Sequence, residues 1–152
     1  MEKQILFNDL EDNRLMKTDG ELEIYENAIS SLADICSIKD LYFLIKGFDD
    51  DTDCRDVMFG LVHLIESFYK QNPNDYVNFI LLNTNEFKAR AIWWLKIIIT
   101  RLLNDDDSLK ILLGLINNIN VDQKEILFHI FSNLLKDELY AEKASLVLKK
   151  IS

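Results

Sequence analysis

Apolar residues recur along most of the chain at intervals of three or four residues, which is the spacing of one face of an α-helix. Between residues 21 and 36, apolar and polar side chains separate onto opposite sides of a helical wheel. The apolar side holds Leu22, Ile29, Leu32 and Ile35, and the polar side holds Glu23, Glu26, Asn27 and Ser30. The pattern predicts a chain built from amphipathic helices.

Helix-start signals divide this pattern into successive helices. Asp19 and Asp53 are placed to cap the helices that follow them. Asn72 precedes a proline in the first turn of another helix, and Asn120 with Gln123 resembles a capping box. The predicted helices cover residues 3–17, 21–36, 38–47, 54–71, 73–83 and 85–103, a helix that begins at 105–107, and residues 121–136 and 138–150.

The helix starts repeat with a nearly constant period. One series falls at about residues 3, 38, 73 and 106, and a second at about 21, 54, 87 and 121. The step of roughly 33 to 35 residues is the length of a two-helix hairpin in a stacked α-solenoid. We therefore predict an all-α fold, an α-solenoid of about four HEAT-like hairpins with a C-terminal capping helix, and a single domain over residues 1–152.

Composition supports a globular helical protein. Hydrophobic residues make up 49% and charged residues 28% of the chain, and four glycines with one proline suit helices joined by short polar links. The longest apolar stretch, residues 91–103, is interrupted by Lys96, Thr100 and Arg101 and is too short to span a bilayer. The first residues have no basic region followed by a long apolar run, so we do not expect a secretory signal. We expect a cytoplasmic location instead.

The two cysteines, Cys36 and Cys54, match no metal-ligand spacing and form no CxxC motif. Two reduced thiols in a cytosolic protein are the favoured interpretation, and a structural disulfide is the alternative.

The net charge of −9 is unevenly distributed. Residues 1–56 contain 6 Lys and Arg against 15 Asp and Glu, whereas residues 57–152 contain 11 of each. Nucleic acids and anionic membranes are bound through Lys and Arg, so this distribution disfavours both as ligands. A basic protein partner fits better, and the alternative is that the acidic excess only maintains solubility.

The acidic segment at residues 49–53 is the first candidate for chemistry. An EF-hand loop starting at Asp49 would require glycine at its sixth position and glutamate at its twelfth, where this chain has Cys54 and Gly60. Calcium binding is therefore not expected. The segment is interpreted either as a solvated turn or as an acidic knob that binds Lys or Arg of a partner through Asp49, Asp50, Asp51 and Asp53.

No pattern typical of an enzyme is present. His63 and His129 lie in different hairpins and outside any HExxH motif, and the chain has no P-loop, GxGxxG or nucleophile elbow. We expect no catalytic residue, no cofactor, no metal and no small-molecule substrate.

Helical wheels favour a binding surface instead. Trp94 falls on the buried arc of the predicted helix 85–103, whereas three apolar residues fall on arcs that are otherwise polar. These are Phe59, Trp93 and Ile97, and the polar residues beside them include His63, Glu66 and His129. Aromatic anchors surrounded by polar groups are typical of interface hot spots. The alternative is that Trp93 packs between hairpins.

One segment also resembles a known family. Arg90-Ala91-Ile92-Trp93-Trp94-Leu95, continuing to Thr100-Arg101-Leu102-Leu103-Asn104, resembles the central helix of the immunity protein 30 family, and the likeness covers most of the chain from about residue 20. The resemblance implies a bacterial immunity protein of a polymorphic-toxin or contact-dependent inhibition system. Such a protein binds its cognate toxin domain one-to-one and blocks the active site or substrate access. Many such toxins are basic nucleases, which agrees with the acidic first third.

Two other functions remain open. A HEAT-like scaffold or adaptor would have several weakly bound protein partners. An enzyme on a helical-repeat scaffold, such as a DNA-repair glycosylase, would need a basic concave groove, whereas the predicted groove carries His63, Glu66, Trp93, Glu125 and His129.

Overall fold

The computed structural model describes residues 2–151, and every regular element among them is a helix. The α-helices are α1 (Glu2–Asp12), α2 (Asp19–Ala33), α3 (Leu41–Leu44), α4 (Arg55–Gln71), α5 (Pro73–Leu82), α6 (Thr84–Lys88), α7 (Ile92–Leu103), α8 (Asp106–Leu115), α9 (Val121–Leu134) and α10 (Ala141–Ile151). Three 3₁₀ segments cover Ile38–Asp40, Ile45–Gly47 and Ile116–Asn118. The prediction of an all-α fold is confirmed. None of the described helices combines the length and the apolar character needed to cross a membrane.

Two of the predicted helix starts are confirmed. Pro73 is the first residue of α5. The Asn120 side chain accepts a hydrogen bond from the Gln123 amide at 2.8 Å, and the Gln123 side chain accepts one from the Asn120 amide at 2.9 Å. This reciprocal pair satisfies two amides that the first turn of α9 would otherwise leave unpaired.

Two predicted caps are wrong. Thr18, not Asp19, caps α2, because its hydroxyl accepts the Glu21 amide at 3.1 Å. Asp53 does not cap α4, whose N-cap residue is Cys54, with no side-chain hydrogen bond to the first turn of the helix. The Asp53 amide instead donates to the Leu15 carbonyl at 3.0 Å. That contact anchors the loop before α4 to the link between α1 and α2.

The predicted helix over residues 85–103 is interrupted. Residues 89–91 are non-helical, and Ala91 has φ −142° and ψ 34°. Alanine and arginine favour helix, so local propensity does not cause the break. The separated segments have different neighbours: α6 packs on α5 and α9, whereas α7 packs on α8. A helical wheel drawn for one continuous helix over residues 85–103 therefore gives the side chains of α6 a wrong orientation relative to those of α7.

The chain forms two compact units, one ending at Asn72 and the other starting at Pro73. In the first unit, α1 packs on α2, α3 and the Ile45–Gly47 segment, and α4 packs on α2 and α3. The buried Tyr25 hydroxyl donates to the Gly47 carbonyl at 3.0 Å, and this burial raises the pKa of the phenol. A Cβ atom at Gly47 would lie 2.7 Å from Leu10, so the close approach of α1 requires glycine.

In the second unit, α5 packs on α8, α6 on α9, and α10 on both α9 and the Ile116–Asn118 segment. Side chains from distant helices complete two helix ends. The Gln123 amide group donates to the Leu82 carbonyl at 2.7 Å, and the Lys143 ammonium donates to the Leu103 carbonyl at 2.7 Å. These bonds satisfy terminal carbonyls of α5 and α7, which have no partner within their own helices.

The division into units coincides with the division of charge. Residues up to 72 contain 7 Lys and Arg against 16 Asp and Glu, and residues from 73 contain 10 of each. The whole net charge of −9 therefore belongs to the first unit.

Candidate binding surfaces

A groove in the second unit brings together two of the residues that the sequence predicts for a binding surface. It has a volume of about 510 Å³, and we name it the Trp93 groove. Its lining residues come from α6, α7 and α9 and are Lys88, Ile92, Trp93, Lys96, Ile126, His129, Ile130 and Asn133. Trp93 and His129 thus share one surface, although they are 36 positions apart.

The floor of the Trp93 groove is apolar and its rim is polar. Ile126 and Ile130 are buried at the floor, and Trp93 is half-buried beside them. Lys88, His129 and Asn133 are exposed. Pockets with an apolar base and a few polar groups at the edge are the usual form of a recognition site.

Two contacts hold the groove in shape. The Lys96 ammonium donates to the Asn133 side-chain oxygen at 2.5 Å, which links α7 to α9. The Trp93 ring meets the buried Trp94 ring edge to face, with centroids 4.9 Å apart and planes at 87°. This arrangement is favourable for aromatic pairs, so the Trp93 side chain has a defined position.

The lining carries cations and no carboxylate. Lys88 and Lys96 are its charged members. Asp122 and Glu125 belong to α9 but do not line the groove. The local charge is therefore opposite in sign to that of the first unit.

The other residues of the predicted stripe are placed elsewhere. Ile97 is half-buried on α7 and does not line the Trp93 groove. Phe59, His63 and Glu66 lie on α4, in the first unit. His63 is exposed, and its Nδ1 lies 3.8 Å from Glu66 Oε1 one turn later. The structure thus joins Trp93 with His129 and His63 with Glu66, and a stripe that unites all of them stays a prediction.

The acidic segment 49–53 differs in part from its prediction. Asp49 was expected in an exposed knob, but it is only 4% exposed. Its Oδ2 accepts a hydrogen bond from Arg14 Nε at 2.8 Å, and its Oδ1 accepts one from the Asp51 amide at 2.9 Å. Asp49 therefore joins the loop to the first hairpin, and its carboxylate is already occupied.

The remaining aspartates of the segment do reach the surface. Asp51 and Asp53 are exposed, and Asp50 is half-buried. With Asp49 turned inward, the accessible part of the segment consists of these three carboxylates. We name Asp50, Asp51 and Asp53 the acidic loop.

Sequence reasoning missed one exposed apolar surface. Val121, Phe128 and Leu135 are all exposed on or directly after α9. They are spaced seven residues apart, which places them on one side of the helix. The seven-residue spacing could have revealed this surface from the sequence. The helical wheel of α9 was used only to find its polar residues, so these three apolar residues were overlooked.

The surroundings of the Cys36 thiol differ from those of a reactive cysteine. Cys36 and Cys54 are both free. Burial, followed by the neighbouring Asp40 carboxylate, raises the pKa of Cys36 to about 11 despite the opposing effect of Lys3. The Cys36 thiol is therefore protonated at neutral pH and is a poor nucleophile. Among residues 2–151, no three His, Cys, Asp or Glu side chains are grouped closely enough to hold a metal ion.

Comparison with known proteins identifies the family. The family model described as immunity protein 30 matches residues 12–112, which is more than half of the chain. The resemblance predicted from the Trp-Leu helix is confirmed, and the match begins earlier than residue 20. It includes α2 to α7 and ends within α8, so the α9 wall of the Trp93 groove lies outside it. Neither curated proteins nor solved structures gave a match.

Proposed function

Because this chain belongs to the immunity protein 30 family, we propose that it is a non-catalytic inhibitor that binds a cognate bacterial toxin domain. It neutralises the toxin by covering the active site or by blocking access of the substrate. The family match over residues 12–112 carries this proposal. The complex contains one copy of each protein and forms in the cytoplasm of a cell equipped with a polymorphic-toxin or contact-dependent inhibition system.

The toxin in this proposal is basic and of the nuclease type. The support is the net negative charge of the first unit, which contains 16 acidic and 7 basic residues. A protein that binds nucleic acid carries Lys and Arg around its active site. An acidic inhibitor attracts such a surface over a distance and accelerates encounter.

The proposal also keeps the HEAT-like arrangement of about four hairpins in one domain over residues 1–152. Contacts within each unit support it. The first helix of one hairpin packs on the first helix of the next hairpin, and the second helix packs on the second helix. In the first unit these pairs are α1 with α3 and α2 with α4, and in the second unit α5 with α8 and α6 with α9. A crystal structure in which successive hairpins do not stack in register would remove this part of the proposal.

The direct test uses the toxin gene beside the gene for this chain. The two proteins are co-expressed, the affinity-tagged toxin domain is purified, and growth of the host is measured with and without the inhibitor. We expect a one-to-one complex and restored growth. Absence of both complex and protection would contradict the inhibitor proposal, and several weak partners in its place would favour a scaffold or adaptor.

Replacing the acidic loop by amides, as Asp50→Asn, Asp51→Asn and Asp53→Asn together, should slow association with the toxin. Steering by exposed charges acts mainly on the association rate, so we expect a decrease of about threefold to tenfold at low salt, with little change in dissociation. Stopped-flow measurements at several salt concentrations check this, and the slope against salt should also decrease.

A matched triple variant in the second unit serves as the control. Asp107→Asn, Glu125→Gln and Glu142→Gln remove the same charge from exposed positions. This variant should associate at nearly the rate of the wild type. If both triple variants slow association equally, only total charge matters, and the acidic loop has no particular role.

A further inference from the structure

We infer that the Trp93 groove receives an acidic, apolar segment of the toxin, with an apolar side chain on the floor and a carboxylate at the rim. This inference rests on the proposed function and assigns a second contact of opposite sign to that of the acidic loop.

The shape of the groove defines the apolar part of the segment. Ile126 and Ile130 are 6% and 5% exposed, so they form a closed floor, whereas Ile92 is 40% exposed at the edge. Trp93 stands beside this floor and is held by its edge-to-face contact with Trp94. An aliphatic or aromatic side chain of a partner would bury Trp93 and Ile92 further, and such centrally placed aromatics dominate binding energy.

The charges at the rim define the polar part of the segment. Lys88 and Lys96 both line the groove, and neither forms an ion pair with another described residue. Lys96 is already oriented by Asn133, with which it forms a hydrogen bond of 2.5 Å. An oriented ammonium loses less freedom when a carboxylate binds it, and charge-assisted hydrogen bonds are the stronger ones. A basic segment would meet two like charges at the same position.

Nucleic acid and a second copy of this chain fit the same surface less well. The second unit has 10 basic and 10 acidic residues, whereas binding of a phosphate backbone requires a clear cationic excess. A second copy offers the depression that includes Glu2, Ile5, Asp34 and Ile35, which is also apolar and acidic. Because this contact would join two different surfaces, repeated contacts would build an open-ended row of molecules rather than a closed dimer.

The test reverses charge at the rim with Lys88→Glu and Lys96→Glu together. Binding to the purified toxin domain, inactivated at its catalytic residue, is measured by calorimetry. We expect at least about tenfold weaker binding, because the carboxylate would then face two like charges. The control is Lys110→Glu with Lys150→Glu, which changes net charge equally at exposed sites outside the groove and should alter affinity less than about twofold.

A measurement on the native protein keeps the test decisive if the charge-reversed variant does not fold. Overlapping peptides that cover the toxin domain are titrated against the wild type and against Trp93→Phe, and tryptophan emission is recorded. A peptide with a carboxylate beside an apolar residue should shift the emission to the blue in the wild type only. Binding of basic peptides alone, or an emission shift that persists in Trp93→Phe, would overturn the inference.

Other outcomes separate this inference from the proposed function. If the wild type binds and protects while Lys88→Glu with Lys96→Glu does so equally well, the groove inference is wrong and the proposed function stands. If light scattering shows that the wild type assembles alone and the charge reversal disperses it, the groove binds a second copy. Binding of an RNA fragment that the reversal abolishes would also overturn the inference. If the wild type neither binds nor protects, both proposals fail.

Discussion

Replacing Trp94 by alanine is expected to lower the free energy of unfolding by about 3–5 kcal/mol. Trp94 is fully buried in α7, a helix that packs on α6 and α8. Truncation removes a large buried apolar surface and leaves a cavity that rigid neighbouring helices fill only partly. Urea titration followed by circular dichroism measures the loss, and in a thermal scan the midpoint temperature should decrease by about 6–20 °C.

The adjacent residue provides the matched comparison. Trp93 has the same side chain but is half-buried at the Trp93 groove. Trp93→Ala should cost at least about 2 kcal/mol less than Trp94→Ala, since less of its surface leaves water on folding. It should instead weaken toxin binding. Equal destabilisation by the two substitutions, with unchanged binding by Trp93→Ala, would mean that Trp93 is a core residue and not an interface anchor.

The distinction between these two tryptophans was predictable because it depends on helical geometry alone. Residues one position apart differ by about 100° around a helix, so one of the pair faces the core and the other lies at its edge. The capping box at Asn120 and the start at Pro73 were predictable for the same reason: the interacting groups are at most three residues apart. Local chemistry defines such features wherever the helix finally packs.

Features that depend on distant partners were not predictable. The break at residues 89–91 separates α6, which packs on α9, from α7, which packs on α8, and no residue there disfavours helix. The floor of the Trp93 groove is another example. The isoleucines at 126 and 130 lie on the buried side of α9, and only the placement of α6 and α7 beside that helix makes them part of a surface. The sequence therefore predicted Trp93 and His129 as candidates but not the groove that joins them.

The two candidate contacts have opposite signs, which has a consequence for specificity. A toxin that satisfies both must present a basic surface to the first unit and an acidic, apolar segment to the Trp93 groove. Like charges at either contact disfavour a wrong partner. In the proposed complex, a uniformly basic protein would be attracted by the acidic residues but repelled by Lys88 and Lys96. Attraction alone would give fast but indiscriminate binding, so the proposed contact at the cationic rim would supply selectivity.

The second large effect is expected at Asp49, where sequence reasoning placed an exposed partner contact. Asp49→Ala should lower the free energy of unfolding by about 2–4 kcal/mol, because it removes one member of a buried ion pair. The Asp49 side chain is 6% exposed and the Arg14 side chain 24%, and their closest atoms are 2.8 Å apart. Water can reach Arg14 in part, so the effect lies toward the lower end of the range for fully buried pairs.

The same substitution should also loosen the acidic loop. Asp49 Oδ1 accepts the Asp51 amide at 2.9 Å, and no side chain remains in Asp49→Ala to replace it. Asp49→Asn keeps an acceptor for this amide but loses the charge facing Arg14, so its stability should be intermediate. Asp51→Ala is the matched control, since Asp51 is exposed and surface substitutions usually change stability by less than about 0.5 kcal/mol. Chemical denaturation of the three variants checks the order. If Asp49→Ala and Asp51→Ala have equal stability but Asp49→Ala alone loses toxin binding, Asp49 contacts the partner directly and the internal role assigned to it is wrong.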